Sequence, residues 1–129
     1  MTIGRMSTKA KKEPAREKRI EMEIVVDAYD AGERAMSWYY YLEDNLRFPF
    51  SAICIKKRDI SPLKTKEKIE VVGLPPADEC EREMFVSIRW MERHFSVPLD
   101  QLQCQCRDKK TREAIADWHY WVKQGYRFG

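Results

Sequence analysis

The chain has 129 residues, of which 43% are hydrophobic and 35% charged, and a formal net charge of +3. That is one domain's length, enough to bury a core without staples. No apolar run approaches the roughly 20 residues of a membrane span, no apolar segment near the start marks a secretory signal, and four irregularly spaced cysteines do not make a disulfide framework, so a reducing cytoplasm is the expected compartment.

The charge is unevenly placed. Residues 1–23 carry seven bases (Arg5, Lys9, Lys11, Lys12, Arg16, Lys18 and Arg19) against four Glu, which leaves 17 bases and 17 acids for the rest. The first 20 or so residues lack aromatics and any apolar period, and Pro14 interrupts them. Residues 1–23 therefore read as a disordered basic tail, with residues 24–129 as a single domain. A tail of this composition suits weak contact with nucleic acid or an anionic membrane surface.

From Ile24 to Leu46, the residues Val25, Ala28, Gly32, Ala35, Tyr39, Leu42 and Leu46 recur at steps of three and four. This is one face of an amphipathic helix. Gly32 weakens its middle; a break near Tyr29–Gly32 would make Asp30 the N-cap of the second half, with Glu33 completing a box-like pattern. Arg47-Phe48-Pro49 ends the helix, because the residue before proline avoids helical geometry. Short strands follow at Phe50–Ile55, Lys68–Leu74 and Met84–Trp90. The last of these alternates Met84, Val86 and Ile88 against Phe85, Ser87 and Arg89. Glu92-Arg93 forms a hairpin tip, and Phe95, Val97 and Leu99 return inward on a strand that Pro98 assigns to an edge or an end. A final helix carries Ala114, Ile115, Trp118 and Trp121, capped by Asp108 or Thr111 and closed at Gly125, after which Tyr126 and Phe128 pack back. The fold class is α+β: a small bent antiparallel sheet of the SH3-like kind, flanked by an N-terminal and a C-terminal helix.

Most catalytic chemistry has no foothold. Two histidines, no Gly-x-Ser-x-Gly elbow and five scattered glycines without a phosphate-cradling pattern give no enzyme. Cys104-x-Cys106 sets two thiols close together, but zinc pairs prefer a longer spacer, and free cysteines at a strand end are the reading. The basic run Lys56-Lys57-Arg58, with the tail, offers a nucleic-acid surface as the alternative function. The acids point elsewhere. Asp78-Glu79-Cys80-Glu81-Arg82-Glu83 places four carboxylates in six positions, and Glu43-Asp44 adds two at the end of the aromatic-rich helix. Calcium takes six to eight oxygens, chiefly from carboxylates and carbonyls, and a local excess of acid can hold it. No EF-hand loop is present.

Five blocks then occur in order. They are Trp38-Tyr39-Tyr40-Tyr41-Leu42-Glu43-Asp44-x-Leu46-x-Phe48-Pro49-Phe50, Ser61-Pro62-Leu63-Lys64, Asp78-Glu79-Cys80-Glu81-x-Glu83-Met84-Phe85-Val86, Val97-Pro98-Leu99-x-Gln101-Leu102 and Ala114-Ile115-x-Asp117-Trp118-His119-Tyr120-Trp121. Together they resemble the CcbP-type bacterial calcium-binding family, typified by a cyanobacterial protein that buffers free calcium during heterocyst differentiation. The resemblance spans roughly residues 27 to 128. It implies a small α+β protein that binds calcium through surface carboxylates, here a cytoplasmic buffer or sensor. The positions matching the family's acidic blocks, and so the expected metal ligands, are Glu43, Asp44, Asp78, Glu79, Glu81 and Glu83.

Overall fold

Asp30 decides where the first long helix begins. Its carboxylate accepts the Glu33 N–H at 2.8 Å, and the Glu33 carboxylate reaches back to the Tyr29 N–H at 3.0 Å. This reciprocal pairing satisfies two backbone donors at the helix start and breaks the apolar period at the place Gly32 weakens it. The structure, a computed structural model, describes residues 12–126 and 128. Within it, helix α2 runs Ala31–Asn45, preceded by a short helix α1 (Pro14–Arg19) and one π-helical turn (Ile20–Ile24).

That N-terminal helix corrects the sequence expectation for residues 14–23, which are ordered against the domain; residues 1–11 lie outside the described part. The reason is long-range. Asp117, fully buried on the C-terminal helix, accepts from Arg16 Nη1 at 2.6 Å, from Arg19 Nη2 at 2.5 Å and from the Tyr41 hydroxyl at 2.6 Å. Glu17 accepts from the hydroxyls of Tyr120 (2.7 Å) and Tyr126 (2.6 Å). Ile20 and Ile24 then enter the core at 2% and 5% exposure. A buried carboxylate needs paired donors, and α1 brings two guanidinium groups to it.

Five antiparallel strands follow: β1 (Phe50–Cys54), β2 (Lys68–Gly73), β3 (Phe85–Trp90), β4 (Arg93–Pro98) and β5 (Leu102–Cys104). Their order in the sheet is β4-β3-β2-β1-β5, with a register shift between Val71 and Gly73 where β2 meets β3. A shift of this kind bends a strand and increases its twist. Alternation buries one face: Ala52, Val71, Val86, Ile88 and Val97 are all at 0%. The edge position of β4, ending on Pro98, agrees with the proline argument. β5 is a short strand the sequence did not announce. The β3–β4 turn falls at Met91-Glu92, one residue before the expected tip, with both residues at positive φ.

Helix α3 (Lys109–Lys123) is capped by Asp108, which accepts from the Thr111 N–H at 3.0 Å, and Gly125 follows its end at φ 86°. The two long helices meet through aromatic rings. Trp38 lies 5.1 Å from Trp118 and 5.4 Å from Trp121 between ring centroids, and Phe128 folds back to 5.8 and 5.4 Å from the same two tryptophans. Edge and tilted contacts of this kind add about 0.5–1.5 kcal/mol per pair beyond their burial. Trp38 is therefore core, while Tyr40 remains 55% exposed.

Candidate metal site at the acidic end of α2

The last turn of α2 exposes Glu43 and Asp44 and contains no basic residue. Aligned peptide dipoles leave partial negative charge at a helix C-terminus, so each carboxylate there is disfavoured by about 0.3–1 kcal/mol and a cation is favoured. In α3 the corresponding turn carries Lys123. The chain therefore places acids where electrostatics calls for a positive charge.

The second acidic segment is brought to this end by the two prolines that close β2. Pro75-Pro76 stops the strand and leads into a 3-10 turn, Ala77–Cys80, whose first turn bears Asp78 and Glu79. Cys80, 1% exposed, pegs the turn into the core, and the Glu79 N–H closes it onto the Pro76 carbonyl at 3.0 Å. Tyr39, one helical turn before Glu43, donates its hydroxyl to the Pro75 carbonyl at 2.6 Å. Partial burial, followed by the charges of Cys80, Glu43, Tyr40 and Asp78, pushes the Tyr39 phenol up. The Tyr39–Pro75 hydrogen bond ties α2 to the segment that leads into the turn, and the turn packs against α2. Asp44 and Glu79 adjoin Glu43 and Asp78 in sequence, and Glu79 Oε1 also accepts the Ser96 hydroxyl of β4 at 3.1 Å.

Glu81 and Glu83 belong to a different environment. Glu83 pairs with both terminal nitrogens of Arg58 at 2.8 and 3.0 Å; Arg58 also reaches Asp100 at 2.9 Å, and Lys56 reaches Asp100 at 3.0 Å. Glu83 and then Asp100 hold the Arg58 guanidinium above its ordinary range. Glu81 and Arg82 line the same cavity, about 640 Å³, as Arg58, Glu83 and Asp100. This is a charge-balanced network, and it engages two cations of the basic run that the sequence offered to nucleic acid.

The donor set suits a hard cation: exposed carboxylate oxygens keep their hydration and can share an ion with water. Among the described residues, no three His, Cys, Asp or Glu side chains are grouped to enclose a metal. The acids form an open surface and not a closed cage. The sequence also missed two features. The Tyr39 clamp depends on a carbonyl acceptor 36 residues away, which no spacing reveals. Cys104 and Cys106, read as free thiols, are joined in a disulfide, leaving Cys54 and Cys80 as buried free cysteines. In that state the pair has no thiolates to offer zinc.

The described residues form an α+β fold with two acidic segments, and the sequence carries no EF-hand loop. The chain belongs to the CcbP calcium-binding family, whose model, described as calcium binding, matches residues 18–122. The crystal structure of Anabaena CcbP is similar at a TM-score of 0.81 and 40% identity, covering 93% of this chain and 98% of that one. A calcium binding protein in its calcium-binding form is similar at a TM-score of 0.78 and 42% identity, covering 89% of this chain and 94% of that one. No curated protein sequence matches the chain. Calcium is the ion of this family. No helix among the described residues is long and apolar enough to cross a membrane.

Proposed function

We propose that the protein is a cytoplasmic calcium buffer or sensor that holds its ion on the open carboxylate surface of Glu43, Asp44, Asp78 and Glu79. Glu81 and Glu83 stay with the cavity that Arg58 lines. The observation that supports the reading is the Tyr39–Pro75 hydrogen bond, which ties α2 near its acidic end to the segment leading into the acidic turn, on a helix terminus with no base in its last turn. Exposure of the four carboxylates favours a partly hydrated ion and rapid release, which is what buffering or sensing needs.

Titration calorimetry with calcium tests this, and backbone NMR maps the responding residues. Each exposed carboxylate about 4 Å from a divalent ion contributes ~2 kcal/mol in near-bulk dielectric. Replacing Asp78 and Glu79 by Ala should weaken binding on the order of tenfold or more. No heat and no chemical-shift change at millimolar calcium would overturn the proposal. The nucleic-acid alternative gains no support from the described residues, because Lys56 and Arg58 are committed to Asp100 and Glu83.

A further inference from the structure

The Cys104–Cys106 disulfide bridges a single intervening residue at the end of β5. A crosslink stabilises a fold chiefly by removing freedom from the unfolded chain, and so short a loop has little freedom to remove. The bond is therefore poorly suited to be a staple. Its location suits chemistry instead. β5 is an outer strand of the sheet, and both cysteines are half-buried between exposed Gln103, Gln105 and Arg107. Cys54 and Cys80, by contrast, are each 1% exposed, and burial pushes both thiols up, which makes them inert. Cys104 also lines an open cleft of about 560 Å³ together with Arg112, His119 and Lys123. Arg16, Arg112 and Lys123 outnumber the one acid in that lining, Glu13, so a small thiol carrying carboxylates would meet an excess of positive charge in the cleft.

We infer that Cys104 and Cys106 form a thiol–disulfide exchange site for a small anionic monothiol of the glutathione class. In the reducing direction, the thiolate of the monothiol attacks Cys104 Sγ. The Cys104–Cys106 bond breaks, a mixed disulfide forms on Cys104, and Cys106 leaves as a thiolate that takes up a proton. A second monothiol attacks the sulfur of the bound one, releases the small-molecule disulfide and leaves Cys104 as a thiol. Two electrons pass from two monothiols to the protein disulfide, and the reverse sequence uses the small disulfide as oxidant.

The full chain, equilibrated in graded ratios of glutathione to glutathione disulfide and then alkylated, should show Cys104 and Cys106 passing together from unlabelled to doubly labelled within that range. Cys54 and Cys80 should stay unlabelled in the folded protein. Cys106→Ser should trap one glutathione on Cys104. Arg112→Glu with Lys123→Glu should slow reduction by glutathione several-fold while leaving reduction by neutral mercaptoethanol unchanged. Several results would overturn the inference: thiols that stay reduced in the most oxidising buffer, a disulfide that resists the most reducing one, no adduct on Cys106→Ser, or equal slowing of both reagents. A large drop in melting temperature on reduction would make the bond a staple and overturn it as well.

Discussion

Removing the Tyr39 hydroxyl, as in Tyr39→Phe, deletes its 2.6 Å donation to the Pro75 carbonyl while keeping the ring. One such hydrogen bond contributes about 0.5–1.5 kcal/mol to stability, so the fold should survive with a small loss. The acid-bearing turn would then be tied to α2 only by packing. Calcium affinity should fall several-fold, more than any change in denaturant midpoint would suggest, and calorimetry beside urea unfolding separates the two. Unchanged affinity in Tyr39→Phe would remove the clamp from the site. At this scale the sequence disclosed the acids but not their neighbours. Glu43 and Asp78 stand out as charge density, and Glu83 looks identical to them until Arg58 arrives from a loop 25 residues away.

At the scale of elements, the β3–β4 hairpin stores strain in its turn. Met91 and Glu92 sit at φ 49° and 66°. Side chains in that region cost roughly 1–2 kcal/mol each, which is why two-residue hairpins favour Asn-Gly. Replacing Met91 by Asn and Glu92 by Gly should therefore raise stability by about 1 kcal/mol or more, read as a higher denaturant midpoint with the same slope. Strand β3 itself was legible, because its alternation is strict and its inward residues are large. The start of α2 was legible through Gly32, Asp30 and Glu33, which act within one turn of each other. Helix α1 was not, since its six residues carry no apolar stripe and its partners lie near the C-terminus. β5, three residues long, is too short for any period to show.

For the molecule as a whole, α1 brings an acid-sensitive joint. Hydrogen bonds from Tyr126 and then Tyr120 hold the Glu17 carboxyl at about 2, below its ordinary 4.5. A carboxyl whose folded value is depressed adds stability that is complete above its unfolded value and is lost as pH falls through the folded one. Stability should decline between pH 4.5 and about 2. The decline should be shallower in Glu17→Gln, as followed by denaturant midpoints across that window. An identical acid limb in the variant would show that Glu17 plays no part in it.

Asp117 accepts donors from α1 and α2 while sitting on α3, and the α1 contacts span 98 and 101 residues. On the ribosome, then, α1 is made well before the α3 residue that anchors it. Arg16 and Arg19 lack their buried acceptor until Asp117 leaves the exit tunnel, and Glu17 lacks its hydroxyl donors until Tyr120 and Tyr126 do. Helix α1 can take its place only once α3 exists.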